Sequence, residues 1–168
     1  IIIVDGGDEQ VADINQEFSS LPIQYMRCVP PSAARQRNLG IRAVNQEATL
    51  IGFLDDDTVL EADSLAAMMS FWIEAPEHIG GAGFNMINSP EVFASGLKSL
   101  PLAERLGLYS RNKGVVLSSG FHTTIGYETE TKFVDWLPTC GVVWRKIIFD
   151  EFQFDEWFYG YSYLEDLD

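Results

Sequence analysis

Short apolar runs recur through the first third of the chain. Residues 1–5 read IIIVD, a continuous β-branched run that is typical of a parallel strand buried on both faces. Two further runs are PIQYMRCV at residues 22–29 and ATLIGFL at residues 48–54. Glycines at residues 6–7 and prolines at residues 30–31 separate these runs from the segments that follow them. The pattern predicts three strands.

Apolar residues recur at helical spacing between and after these strands. A short helix is predicted from a cap at Asp8 to Phe18, and a second helix is predicted to begin after a cap at Ser32. The apolar face of the second helix consists of Ala34, Ile41 and Val44. A third helix is predicted in residues 61–75. Its apolar residues also follow helical spacing: Leu65, Met68, Met69, Trp72 and Ile73.

This alternation predicts an α/β fold with a mostly parallel central sheet flanked by helices, in a single domain. After Pro76 the rhythm changes, and residues 88–120 have a mixed pattern. Strands are expected in residues 79–87, 114–119 and 131–149, and not all of them are expected to be parallel. No internal repeat and no linker indicates a second domain.

The composition adds a strong acidic bias. The 168 residues carry a formal net charge of −14 at pH 7, which argues against nucleic-acid binding because that function needs a basic face. No apolar run approaches the roughly 18 residues that span a bilayer, and no signal peptide is visible. Cys28 and Cys140 are interpreted as reduced core cysteines, with a disulfide or a metal pair as the alternatives. We therefore expect a cytoplasmic protein, and peripheral attachment to the inner face of the membrane stays open.

Acidic residues follow two of the predicted strands. Asp5 ends the first strand, and Asp55, Asp56 and Asp57 come directly after the third. Ligands of open parallel sheets bind at the carboxyl ends of the strands, and clustered carboxylates suit Mg²⁺ or Mn²⁺. The alternative is a solvated acidic turn in which Asp57 or Thr58 caps the next helix. Taken in isolation, three adjacent acids favour the solvated turn.

Residues 30–65 resemble the core of the family-two glycosyltransferases, which have the GT-A fold. The family pattern is an Ala-Arg-Asn-x-Gly-Ile-like helix, an apolar strand and a leucine-aspartate-x-aspartate motif. The matching residues are, in order, Arg37, Asn38, Gly40 and Ile41, then the strand LIGFL, then Asp55 and Asp57. Residues 134–168 resemble the acceptor half of the family, with a Gly-containing strand, an Arg-Lys turn, FDE, a Gly-Tyr pair and a Glu-Asp motif. The resemblance is weakest between residues 88 and 130.

The resemblance implies one GT-A domain over residues 1–168, with a nucleotide-sugar-binding half at 1–75 and an acceptor-binding half at 76–168. It implies an inverting, metal-dependent enzyme that moves a sugar from a nucleoside-diphosphate sugar to an acceptor hydroxyl. The acceptor would be a glycan, a lipid or a small molecule, as in cell-surface polysaccharide synthesis. The implied cofactor is a divalent metal, Mn²⁺ or Mg²⁺.

The resemblance also assigns roles to the acids and to one arginine on the donor side. Asp57 is the expected direct metal ligand, with Asp55 as a second, and Asp55 and Asp56 are expected to contact the nucleotide, its ribose or metal-bound water. Arg37 is expected to face the donor nucleotide or its phosphates, where a guanidinium suits anionic oxygens; its alternative is an ordinary surface arginine. Asp5 is expected to hydrogen-bond the base, and its alternative is a helix cap.

On the acceptor side, the resemblance points to the Glu-Asp motif near the end of the chain. Asp166 is the expected general base, and Glu165 is expected to bind the acceptor or to orient the base. The alternative is an exposed acidic tail. The chain departs from the family pattern in two places. The family's first strand and the helix after the Glu-Asp motif have no match. We therefore expect a fragment of a longer protein.

Two other functional classes stay open at the level of the sequence. The first is a non-catalytic domain that binds a nucleotide sugar or scaffolds an assembly. The second is a nucleotidyltransferase, which would be expected to carry a Gly-rich, lysine-containing phosphate loop near its first strand. The segment VDGGDEQ at residues 4–10 has the glycines but no lysine or arginine, which argues against that class.

Overall fold

Strands and helices alternate along the first half of the chain, which confirms the predicted α/β class. The computed structural model describes residues 1–11, 13–87 and 101–157, and the fold is given for these residues. The elements are, in order, β1 (Ile2–Asp5), α1 (Ile14–Glu17), β2 (Gln24–Arg27), α2 (Ala33–Ala43), β3 (Leu50–Leu54), α3 (Ser64–Glu74), β4 (Gly81–Gly83), α4 (Pro101–Arg105), β5 (Gly141–Arg145) and a 3₁₀ turn (Lys146–Asp150).

The first two strands form a parallel pair. Ile2 lies opposite Gln24, and Asp5 lies opposite Arg27. Helix α2 packs on β1, where the Gln36 side-chain amide donates a hydrogen bond to the Val4 carbonyl at 2.8 Å. The residues of β1 are half-buried, so the burial on both faces that the apolar run predicts is not reached within the described part of the chain.

Helix α2 begins at the cap that the sequence predicts. Ser32 has extended backbone, and its hydroxyl accepts a hydrogen bond from the Arg35 N–H at 3.4 Å, which satisfies one of the free donors of the first turn. Ala34 and Asn38 are the buried residues of the helix. A buried amide requires hydrogen-bond partners, and Asn38 finds them in the main chain of Phe154.

Helix α1 differs from its prediction. It begins at Ile14 after Asp13, so Asp8 does not cap it. Residues 7–9 instead form a bend after β1, and the Gly7 N–H donates to the Asp5 carboxylate at 2.7 Å. This local hydrogen bond gives the chain after β1 a turn rather than the first turn of a helix.

The other sheet has three strands in the order β3-β5-β4. The Asp55 N–H donates to the Cys140 carbonyl at 3.5 Å, and the Lys146 N–H donates to the Thr49 carbonyl at 2.9 Å. Residue numbers therefore rise along β3 while they fall along β5, so these two strands are antiparallel. This agrees with the expectation that strands in the second half are not all parallel.

Two of the five residues in the predicted apolar face of helix α3 are buried. Met68 and Trp72 are buried, whereas Leu65, Met69 and Ile73 are exposed. Its first residue follows Asp63, which has a positive φ of 65°. The predicted apolar face of α3 is therefore wider than the part of it that is buried among the described residues.

The chain forms two compact units. The first comprises Ile1–Gly52 together with the chain from Trp144 onward, and the second comprises Phe53–Val143. Among the described residues, the buried apolar ones are Cys28, Ala34 and Ile51 in the first unit and Met68, Trp72, Val142 and Val143 in the second. The predicted boundary between donor and acceptor halves at residues 75 and 76 concerns binding, and it stays a prediction.

Two smaller expectations concern the cysteines and the membrane. Cys28 and Cys140 are both free thiols, so they form no disulfide, and Cys28 is buried as predicted while Cys140 is half-buried. Within residues 1–11, 13–87 and 101–157, no helix has the length and apolarity to cross a bilayer.

Candidate functional site

The Asp5 carboxylate is the centre of a hydrogen-bond network at the end of β1. Its Oδ2 accepts from the Tyr25 hydroxyl at 2.5 Å and from the Arg27 guanidinium at 2.6 Å, and its Oδ1 accepts from the Gly7 N–H at 2.7 Å. Tyr25 and Arg27 alternate with Met26 along β2, so both project to one face of the strand, and the parallel register brings that face to Asp5. The carboxylate side chain is 11% exposed.

These contacts hold the carboxylate in its charged form. The hydrogen bond from Tyr25 is the largest cause that lowers the pKa of Asp5 to about 2, followed by the Gly7 N–H and, after an opposing effect of burial, by Arg27. The same hydrogen bond favours the charged form of Arg27, because it raises the pKa of the guanidinium. The group is thus an acceptor throughout the neutral range. The helix-cap alternative for Asp5 is wrong because α1 begins at Ile14.

Tyr25 and Arg27 were not among the residues predicted from the sequence to form the site. The segment QYMR does carry a signal, because tyrosine and arginine at alternate positions of a strand share one face. That signal does not name the partner, since Asp5 lies 20 residues from Tyr25 and 22 from Arg27. Only the strand register joins them.

Arg37 lies on α2 and is half-buried. Its guanidinium carbon lies over the Phe154 ring, 5.4 Å from the ring centre, which is within the range of a cation–π interaction. The Phe154 ring also stacks on Phe149, with ring centres 6.4 Å apart. Arg37 is therefore more than a surface arginine, and its contact with the donor stays a prediction.

Asn38, the neighbour of Arg37, is hydrogen-bonded to the main chain of Phe154 in both directions. Its Nδ2 donates to the Phe154 carbonyl at 2.8 Å, and its Oδ1 accepts from the Phe154 N–H at 3.0 Å. Nδ2 also donates to Glu156 at 3.1 Å. Glu156 in turn faces Arg35 at 3.8 Å and Arg42 at 4.0 Å. The family pattern includes Asn38 but does not identify its structural partners, which lie 116 and 118 residues away.

Asp55, Asp56 and Asp57 form an exposed turn directly after β3. Thr58 anchors the far side of this acidic turn, since its hydroxyl donates to the Cys140 carbonyl at 2.9 Å and its N–H donates to the Asp55 carbonyl at 3.1 Å. The interpretation in which Asp57 or Thr58 caps the next helix is wrong, because α3 begins at Ser64. The three aspartates are therefore exposed residues on a turn that is held by the side chain and the backbone N–H of Thr58.

The acidic turn carries oxygen ligands of the type that a divalent cation binds. Among the described residues, no group of three or more His, Cys, Asp or Glu side chains is arranged to hold a metal ion. Mg²⁺ commonly takes one or two protein carboxylates and completes its shell with substrate phosphates and water. Asp55 and Asp57 are exposed residues whose carboxylates are of the type that such a site uses, and they do not form a closed protein cage.

The predicted site residues lie in different parts of the chain. Asp5 and Arg37 belong to the first compact unit, and the acidic turn belongs to the second. Glu165 and Asp166 lie outside the described residues. Their roles on the acceptor side stay predictions.

Comparison with known proteins identifies the family. The family model described as Glycosyl transferase family 2 matches residues 1–147, which include β1, α2, the acidic turn and β5. Neither a curated protein nor a solved structure matches the chain. The matched region covers most of the chain and confirms both the resemblance and the fold class. The chain belongs to glycosyl transferase family 2.

Proposed function

We propose that this protein is a metal-dependent, inverting glycosyltransferase that moves a sugar from a nucleoside-diphosphate sugar to an acceptor hydroxyl. Family membership supports glycosyltransferase activity in general. The observation that carries the finer proposal is the acidic turn at the end of β3, whose three aspartates are exposed residues. An acidic turn held in this way suits a cation shared with a diphosphate.

The donor side of the proposal uses four of the predicted residues. Asp57, with Asp55, binds the divalent metal, Mn²⁺ or Mg²⁺, which when bound supplies positive charge to the leaving diphosphate. Asp56 contacts the ribose or metal-bound water. Arg37 directs its guanidinium to the donor phosphates or nucleotide.

Asp5 serves the base of the donor nucleotide. Its carboxylate is held in the charged form, so it accepts hydrogen bonds and donates none. This suits an N–H on the edge of a nucleobase. Oδ1 accepts a single described hydrogen bond, from Gly7, and so has a lone pair left for such a donor.

The acceptor side requires the removal of one proton. Asp166 takes the proton of the acceptor hydroxyl while the acceptor oxygen forms its bond to the anomeric carbon and the bond to the diphosphate oxygen breaks. Glu165 orients the acceptor or the base. Attack from the face opposite the leaving group inverts the configuration. We place the reaction in the cytoplasm or at the inner face of the membrane, with a glycan, lipid or small molecule as acceptor.

A second candidate is a non-catalytic domain that binds a nucleotide sugar or acts as a scaffold. One observation favours it, because the family match ends at residue 147 and does not include Glu165 or Asp166. Such a domain would keep the donor contacts and lack transfer activity.

The test is calorimetric titration of the 168-residue chain with UDP, GDP and dTDP, each with and without Mn²⁺. Manganese-dependent binding of one nucleotide is expected, and it would identify the donor class. Absence of binding by a folded chain would contradict the donor site. Transfer from the matching nucleotide sugar to a panel of acceptors then separates the two candidates. Asp166→Asn should keep nucleotide binding and lower transfer by about 10²- to 10⁴-fold.

A further inference from the structure

We propose that Asn38 is a positioning residue that places the Arg37 guanidinium for the donor nucleotide by fixing the main chain of Phe154. The inference rests on the proposed function for the identity of the ligand. Its geometric part rests on contacts within the first compact unit alone. It assigns to Asn38 a role that its position in the family pattern does not state.

The first step is the hydrogen bonding of Asn38. The residue is 2% exposed, and its amide both donates to and accepts from the backbone of Phe154, at 2.8 and 3.0 Å. Paired hydrogen bonds of opposite direction fix the height of Phe154 along α2 as well as its distance from it. A leucine at position 38 would fill the same space but could not form directional contacts. It would offer no hydrogen bond to the N–H or the carbonyl of Phe154.

The second step leads from the main chain of Phe154 to its ring. The ring lies 26° from parallel with Phe149, with centres 6.4 Å apart, so neighbouring side chains restrict its tilt. The Arg37 guanidinium lies 5.4 Å from the centre of the Phe154 ring. A ring that is fixed in position gives the cation a preferred plane and location. Asn38 thereby acts on Arg37 through Phe154.

The third step concerns the other two arginines of α2. Arg35 and Arg42 both face Glu156, at 3.8 and 4.0 Å, and Asn38 donates to the same carboxylate at 3.1 Å. The segment after Phe154 is thus held to α2 by charge as well as by hydrogen bonds.

The main test is a double-mutant cycle on nucleotide binding. The dissociation constants of UDP, GDP and dTDP with Mn²⁺ are measured for the parent, Asn38→Ala, Arg37→Gln and the double variant. Asn38→Ala is expected to raise the dissociation constant of the nucleotide about tenfold, which corresponds to about 1.4 kcal/mol. In the Arg37→Gln background it should add little, because its effect passes through Arg37. Fully additive losses would overturn the inference.

A second measurement needs no ligand. The Arg37 Nε–H resonance should show the ring-current shift of a guanidinium over Phe154 in the parent. Asn38→Ala should move it toward the position of an exposed arginine, even though Phe154 is still present. Phe154→Leu removes the ring, identifies the shift, and serves as the second variant if Asn38→Ala folds poorly, since it too should weaken nucleotide binding without adding to Arg37→Gln. An Arg37 resonance that is unchanged in Asn38→Ala contradicts the inference.

Two control variants separate positioning from lost stability. Ser32→Ala removes the cap at the first turn of α2. It should lower the free energy of unfolding while Asn38 and Phe154 stay in place. Asn45→Ala removes a comparable amide contact, the hydrogen bond of 2.9 Å from the Glu47 N–H. Both should keep the Arg37 resonance and the nucleotide affinity. If the parent shows the shifted resonance and binds no nucleotide, the proposed function fails while the Asn38–Phe154–Arg37 geometry stands.

Discussion

At the scale of single residues, Asp5 shows how a strand pair defines the chemistry of a carboxylate. Tyr25 and Arg27 reach it from β2, and Gly7 reaches it from the turn that follows β1. Three donors on one carboxylate explain why its charged form is favoured over the neutral form. The same three contacts also fix the direction of the carboxylate, which a nucleobase contact requires.

We predict a specific acid dependence from this network. The folded pKa of Asp5 is about 2, below the ordinary value of 3.8, so the stabilisation is fully present above about pH 4 and is lost as the pH falls through 2. Tyr25→Phe removes the largest cause and should reduce the free energy of unfolding at neutral pH more than at pH 2.5. Urea titrations over this range measure it, with the half-exposed Tyr127→Phe as the control. Equal losses at both pH values would contradict this account of Asp5.

The acidic turn gives a second prediction at this scale. Asp57→Ala should remove the manganese-dependent part of nucleotide binding, because it deletes the proposed direct ligand. Asp57 is exposed, so the free energy of unfolding should change by no more than about 0.5 kcal/mol. Calorimetry and urea unfolding of the same sample measure both quantities. Glu77→Ala, which also removes an exposed acid, is the matched control, and unchanged binding in Asp57→Ala would place the metal elsewhere.

At the scale of elements, the sequence predicts features that depend on neighbouring residues, such as a helix cap. It does not predict features that depend on residues far away in the chain, such as hydrogen-bond partners. Ser32 caps α2 as predicted, because capping depends on residues three positions apart. The apolar spacing of α3 predicts the helix correctly but not which of its faces is covered, since coverage depends on elements far away in the chain. The partners of Asp5 and Asn38 are missed for the same reason: they are set by strand register and by residue 154.

Helix α3 provides a prediction with a built-in control. Trp72 is 7% exposed and Ile73 is 83% exposed, although they are adjacent. Trp72→Ala should lower the free energy of unfolding by about 3–5 kcal/mol, as expected for a large buried side chain. Ile73→Ala should change it by about 0.5 kcal/mol or less. Urea unfolding measures both, and a large loss in Ile73→Ala would mean that this side chain is covered in solution.

At the scale of the whole molecule, the dominant property is negative charge. With a net charge of −14, self-repulsion opposes the compact state, and added salt screens it. We expect the free energy of unfolding to rise between about 0.01 and 0.1 M salt, over which the Debye length falls from about 30 to 10 Å. NaCl and KCl should act alike in thermal or urea unfolding. A fall in stability with salt would instead indicate that ion pairs such as Arg27–Asp5 dominate the response.

The hydrogen bonds between Asn38 and Phe154 also bear on how the chain is made. They join positions 116 residues apart, and the first compact unit consists of two separate stretches, whereas the second is continuous. During synthesis α2 therefore emerges long before its partner, and the second unit is complete first. Asn38 therefore stays hydrated until the segment that contains Phe154 has been synthesised. In refolding of the full chain all segments are present at once, but contacts between distant residues form more slowly than local ones. Pulsed hydrogen exchange during refolding should therefore show the Phe154 amide protected after the amides of α3.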